Sequence, residues 1–210
     1  MKILIVFHST HGHVLRLARA VAEGAASVDG AEAVLRRVQE LEPVEAPGGL
    51  AHQSERARKS REEQQDIPIC TLDDLREADG LVLGSSGRYG NMSAQMKYFI
   101  DSTANLWLNG DMEGKPAGVF TASGTTHGGQ EVALLTMMIP LLGLGMIIVG
   151  IPFSTPGMLH AEARGGTPYG ASTIAGPQNE LEPKPEDLDI ARALGRRVAS
   201  IASKLRKTGP

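Results

Sequence analysis

The residues that invite chemistry fall in three short polar elbows. The first, Ser9-Thr10-His11-Gly12-His13-Val14, follows the apolar run Ile3–Phe7 and leads into a helical pattern. The second is Ser85-Ser86-Gly87-Arg88-Tyr89-Gly90-Asn91, and the third runs Thr121-Ala122-Ser123-Gly124-Thr125-Thr126-His127-Gly128-Gly129-Gln130. The first elbow holds hydroxyls, histidines and a glycine but no lysine or arginine. A helix N-terminus binds an anion through free N–H groups and the helix dipole, without a cationic side chain. Ser9 and Thr10 add hydroxyl donors, and Gly12 permits close backbone approach. Such a site suits a monophosphate that is retained rather than transferred. The P-loop pattern, which needs a lysine, and the G-x-G-x-x-G dinucleotide fingerprint are both absent here. A plain strand–helix turn with a hydroxyl cap is the competing reading; two further polar elbows at the same crevice favour a ligand.

The elements that position these elbows are legible in the apolar runs. Ile3–Phe7, Gly80–Leu83, Ala117–Phe120 and Met146–Val149 are continuous, as strands covered on both faces are. Ala33–Val38 is more polar and suits an edge or near-edge strand. Helical patterns over Val14–Ser27, Met92–Trp107 and Pro185–Lys207 alternate with them. The expected fold is therefore α/β: a flavodoxin-like, doubly wound, five-stranded parallel sheet of order 2-1-3-4-5 with helices on both faces. Ligands in such sheets bind beyond the carboxyl ends of the strands, where strand order reverses, and all three elbows lie there.

One domain is expected over residues 1–210, with a charged insertion at about 52–66 and a Gly/Pro-rich excursion at about 152–184. The insertion, "HQSERARKSREEQQD", reads as a solvated loop or exposed helix. The uncharged stretch Val132–Phe153 is long enough to span a bilayer. Pro140, Gly143, Gly145 and Gly150 instead divide it into a buried helix ending near Gly145 and a strand. No membrane insertion is expected. A net charge of -3 and a pI of about 6.1 give no basic footprint for nucleic acid. The single cysteine, Cys70, fits a reducing compartment, and no signal peptide is read at the N-terminus; a cytoplasmic location is expected. No Ser-His-Asp set, paired carboxylates or metal cluster is read in the crevice.

Six motifs in order, "HSTHGHV", "GRYGNMSAQMKYFID", "LWLNGDMEGKPAGVFTASG", "THGGQE", "GMIIVGIPF" and "GGTPYGASTIAG", together resemble the WrbA-type NAD(P)H:quinone oxidoreductases, FMN enzymes of flavodoxin-like fold. The resemblance runs from about Met1 to Lys204 and is weakest over His52–Asp66. It implies that Ser9, Thr10, His11, Gly12, His13 and Val14 hold the FMN phosphate. It implies that Gly87, Arg88, Tyr89, Gly90 and Asn91 line the isoalloxazine ring, and that Ser123, Gly124, Thr125, Thr126, His127 and Gly128 border the ring and ribityl chain. Trp107 would approach the flavin pocket of a neighbouring subunit in a homotetramer, a dimer being the smaller alternative. His11 and Trp107 are assigned to the substrate side. The chain departs from the family at three places. Ser85-Ser86-Gly87 replaces a Thr-Pro-Thr type segment. Leu142-Gly143-Leu144-Gly145-Met146 lacks a His pair, which would leave a more apolar and roomier pocket. His11 stands where relatives often carry Tyr.

The implied reaction is hydride transfer from NADH or NADPH to FMN, then two-electron reduction of a quinone in the same slot. The cofactor carries the chemistry and the protein positions it. Arg88 would stabilise developing negative charge, with a surface arginine or a salt bridge as its equal alternative. His127 would hydrogen-bond flavin or substrate, or hold its own loop. The rival functions are a flavodoxin-type one-electron carrier and an FMN-binding protein without efficient quinone reduction. Carriers tend to be strongly acidic, which a net charge of -3 is not.

Overall fold

The computed structural model describes residues 1–41 and 54–207. The central sheet is parallel, and its order is β2-β1-β3-β4-β5, as the sequence leads one to expect. The strands are β1 (Lys2–His8), β2 (Glu32–Arg37), β3 (Gly80–Ser86), β4 (Pro116–Ser123) and β5 (Ile147–Ile148). A further strand, β6 (Ala171–Ile174), also pairs with β4. β5 covers the start of β4, at Pro116 and Ala117, and β6 covers its end, from Phe120 to Ser123. The fifth position of the sheet is thus shared by two short strands. The excursion at 152–184, expected to be irregular throughout, contributes the second of them.

Helices fill both faces. α1 (His13–Ala26) and α7 (Pro185–Lys207) cover one. There Ile3, Ile5, Phe7 and Phe120 pack with Leu17, Val21, Ile190, Leu194 and Val198. On the other face Leu4, Val6, Leu81, Leu83 and Val119 meet Met96 and Ile100 of α4 (Ala94–Asp101), Leu106 of α5 (Ala104–Asn109), and Leu134, Met137 and Leu141 of α6 (Gln130–Gly143). Alternate residues of the strands feed opposite cores, which is why their apolar runs are continuous. The expected helix over Met92–Trp107 is two helices, broken after Asp101. The charged insertion carries α2 (Glu55–Gln64), capped by Ser54 Oγ accepting from Ala57 N–H; its residues 52–53 lie outside the described residues. α3 (Leu72–Glu77) completes the set, begun by a reciprocal Thr71–Asp74 capping box. The stretch that invited a membrane check is cut as expected: α6 ends at Gly143 and β5 follows. Among the described residues no helix is long and apolar enough to cross a membrane.

The two helices of the first face touch backbone to backbone. A Cβ on Gly24 would fall 1.9 Å from Arg192 O, and one on Gly195 2.0 Å from Val21 O. Gly24→Ala and Gly195→Ala each push α1 and α7 apart, and each is expected to cost about 1–3 kcal/mol by overpacking. Chemical denaturation of each variant against wild type checks this.

Candidate active site

The polar ends of β1, β3 and β4 sit side by side, because His8 pairs with Ser85 in register and Ser85 and Ser86 pair with Thr121 and Ala122. Beyond them opens a cleft of ≈ 300 Å³. Ser9, His11, His13 and Val14 of the first elbow line it, with Ser86, Gly87 and Arg88 of the second and Ala122, Ser123 and Gly124 of the third. Ala175 and Asn179, which follow β6, form a wall that sequence reasoning missed. The cue available was "GASTIAG" itself: a strand there carries the residues after it to the crevice.

The first elbow turns through Gly12 at φ 92, a left-handed conformation that favours glycine. Gly12 caps α1 without a side-chain bond of its own. Ser9 Oγ instead accepts from Leu15 N–H at 3.1 Å, taking one first-turn amide and tying the elbow to the start of the helix. His13 is buried, not facing solvent, and its Nε2–H donates to Leu181 O at 2.8 Å. Burial, then the nearby Arg56 charge, lowers its pKa to about 4, so it is neutral at pH 7 and adds no cation to the anion end. His8 Nε2 lies 3.2 Å from Glu40 Oε1, outside the cleft.

In the second elbow hydroxyls replace the missing proline. Ser93 N–H donates to Ser85 Oγ at 2.9 Å, Thr121 Oγ1–H to Ser85 O at 2.7 Å, and Gly87 N–H to Ala122 O at 2.9 Å. Arg88 and Asn91 exchange backbone bonds of 2.8 and 2.9 Å. Tyr89 and Gly90 form the tip between them, at φ 51 and 73. Left-handed backbone is unusual for tyrosine, and this side chain is fully exposed. Arg88 Nη2 donates to Thr10 Oγ1 at 3.1 Å, joining the first two elbows. Among the described residues it has no carboxylate partner. Loss of hydration in the cleft wall lowers its pKa, although the residue as a whole is exposed and its charge is retained.

The third elbow wraps around Thr125 O, which accepts from Gly128 N–H, Ser123 Oγ–H and Gln130 Nε2–H at 3.0 Å each. A Cβ on Gly129 would stand 3.0 Å from Gly90 Cα, so the second and third elbows pack glycine on glycine. Thr125, Thr126 and His127 are exposed and do not line the cleft; Tyr89, Gly90 and Asn91 stand outside its lining as well. Trp107 is 60% exposed on α5, away from its own chain's cleft. The Leu142–Met146 stretch also lies at the far end of the sheet, where Gly114 N–H donates to Gly145 O at 2.9 Å. The stretch that lacks a His pair therefore stands outside the lining of the same chain's cleft.

This cleft has features that suit a flavin mononucleotide: a helix N-terminus and hydroxyls at one end, and a guanidinium without a carboxylate partner among the described residues. A family model described as NADPH-dependent FMN reductase matches residues 1–157. The chain belongs to that family. Relatives named NAD(P)H dehydrogenase (quinone) extend the match to the whole chain. The protein of Syntrophobacter fumaroxidans is 49% identical over 206 residues, covering 98% of each chain. That of Geobacter sulfurreducens is 49% identical over 209 residues, covering 98% of this chain and 99% of its own. Among solved structures, a WrbA-like flavodoxin protein from Agrobacterium tumefaciens aligns with a TM-score of 0.64 at 23% identity, over 97% of this chain and 98% of that one. Flavodoxin 1 from Bacillus cereus aligns with a TM-score of 0.59 at 17% identity, over 95% and 98%. Those two likenesses bear on the fold, which is flavodoxin-like.

The neutral His13 makes stability depend on pH. Its native pKa is about 4 and its unfolded value 6.5, so the unfolded chain binds more protons between them and stability rises with pH in that window. Falling from pH 6.5 to 4 should remove on the order of 3 kcal/mol through this group alone. His13→Gln keeps a donor and cannot titrate. The stability difference between wild type and variant should shrink over that window and level off below pH 4, as urea melts at stepped pH would show.

Proposed function

We propose that this chain is an FMN-dependent oxidoreductase that moves two electrons from NADH or NADPH to a quinone, the first substrate leaving before the second enters. The observation that carries the reading is Arg88, a guanidinium without a carboxylate partner among the described residues, bonded to Thr10 beside an anion end that holds no lysine. The full-length relatives named NAD(P)H dehydrogenase (quinone) support the same donor and acceptor. The net reaction takes NAD(P)H, a proton and a quinone to NAD(P)⁺ and hydroquinone. FMN, when bound, supplies a ring that takes up the hydride and gives the electron pair onward.

Within this reading the chain's own groups have distinct tasks. Ser9 to Val14 hold the phosphate through backbone amides and hydroxyls. Arg88 offsets negative charge, and its bond to Thr10 holds it at the cleft. Gly87 and Arg88 on one side and Ser123 and Gly124 on the other line the cleft where the ring would lie, and the loops running on to Asn91 and Gly128 stand at its rim. The glycine contact between Gly90 and Gly129 sets how closely the walls approach. His13, neutral and bonded to Leu181, orients the elbow without competing for the anion's charge. A cytoplasmic location belongs to the same reading, supported by the buried free thiol of Cys70.

The assembly proposed is a homotetramer with composite sites, His11 and another subunit's Trp107 meeting the substrate. On α6, Val132, Leu135, Ile139 and Leu142 form an exposed apolar stripe at helical spacing, which supports burial against a second copy.

The function is tested by anaerobic titration of FMN-loaded protein. NADH or NADPH should bleach the flavin absorbance band, and benzoquinone should restore it. A band that neither nucleotide moves, with FMN bound, would favour a one-electron carrier. The assembly is tested by sedimentation: wild type should run as a tetramer, and Ile139→Glu should shift it to smaller species. A monomeric wild type removes the composite site.

A further inference from the structure

The outer side of the first elbow is held by α2, the helix of the charged insertion. Gln64 Nε2 donates to Ser9 O at 3.1 Å, and lies 2.7 Å from both Ser60 O and Ser60 Oγ. Arg56 Nε donates to His11 O at 3.1 Å. Arg56 is itself pinned: Glu182 accepts from its Nη2 at 2.5 Å and from Arg16 Nε at 2.8 Å. Ala57, Ser60 and Gln64 are the buried residues of α2, at helical spacing. The helix therefore turns a small polar face, not an apolar one, towards the elbow.

The consequence follows from the planarity of the peptide. In a trans unit the C=O of one residue and the N–H of the next point in opposite directions. Fixing Ser9 O and His11 O against α2 turns the N–H groups of Thr10 and Gly12 to the opposite side, the cleft side. Thr10 N–H is found so directed, 3.5 Å from Ser86 Oγ in the cleft lining. Successive amides aimed into one concavity make an anion nest.

We infer that α2 is a clamp on the phosphate elbow, with Gln64 and Arg56 as positioning residues that set the chain's affinity for the phosphorylated flavin rather than for the flavin ring. The inference rests on the reading that Ser9 to Val14 hold the FMN phosphate. It assigns a task to the segment that least resembles the family and that carries no residue of the cleft lining.

Riboflavin, which lacks the phosphate, separates the two ideas. Wild type should bind FMN much more tightly than riboflavin. Gln64→Leu leaves Ser9 O without its donor and should raise the FMN Kd about tenfold, with Arg56→Ala raising it about threefold. Neither should change the riboflavin Kd, measured for both flavins by quenching of flavin fluorescence. Hydrogen exchange on wild type adds a readout that needs no variant: saturating FMN should slow exchange of the α2 amides, and saturating riboflavin should not. Equal loss of both flavins in the variants, no loss of either, or α2 exchange indifferent to FMN would overturn the clamp. Wild type that binds riboflavin as tightly as FMN would overturn the phosphate placement itself, before any variant is made.

Discussion

Leaving a sheet and starting a helix normally uses the first amides on a hydroxyl cap. At the crevice of this protein the cap residues of α1 and α6 themselves supply no such hydroxyl. α1 starts from Gly12 and α6 from Gly129, both left-handed and both without a side-chain cap. Each follows a strand that ends at the cleft. α2, α3 and α4 are instead capped by Ser54, Thr71 and Ser93, although α4 too follows a strand, β3, that ends at the cleft. A left-handed glycine lets the chain turn sharply without a capping side chain, so that α1 gives the Leu15 amide to Ser9 and turns the positive end of its dipole towards the cleft. Gly129 has a second constraint, the close approach to Gly90 that brings two elbows together.

The charges around these open ends are arranged so that few of them act on the cleft. Arg16 and Arg56 stand close to the first elbow, but both are bonded to Glu182, which those arginines hold below the usual carboxylate range against the opposing effect of burial. His13 is neutral because burial disfavours its charge. Among the described residues that line the cleft, Arg88 is left as the cation without a carboxylate partner. A site of fixed dipoles and one guanidinium binds an anion without reorganising.

Much of this was legible in the sequence, and the exceptions share a physical cause. Continuous apolar runs revealed the core strands because those strands are buried on both faces. β6 escaped because its neighbourhood is rich in glycine, which usually punctuates loops. Here the glycines permit contact instead: a Cβ on Gly170 would lie 2.1 Å from Val119 O, and one on Gly165 1.7 Å from Ser172 O. α2 escaped as a functional element because its buried face is Ala57, Ser60 and Gln64, which leaves no hydrophobic period to detect. The break between α4 and α5 was hidden because both helices bury residues in one core. The three elbows were found, since topology alone places strand ends together. The wall of Ala175 and Asn179 was not, because it depends on β6.

The exposed tip at Tyr89 and the far-end residues Trp107 and Leu142–Met146 are connected by the geometry of α6. This helix of 14 residues spans about 21 Å, from Gln130 at the cleft to Gly143 at the opposite end of the sheet. No side chain of one chain bridges that distance. Two copies paired through the Val132–Leu142 stripe about a two-fold axis perpendicular to α6 would lay these helices antiparallel, with each patch meeting itself. That arrangement brings the Gly143 end of one helix to the Gln130 end of the other, beside Gly90 and the tip that carries Tyr89. On the proposed assembly, the substitution of the family's His pair by Gly143 and Leu144 alters a neighbouring subunit's substrate slot while leaving the phosphate end of every subunit intact.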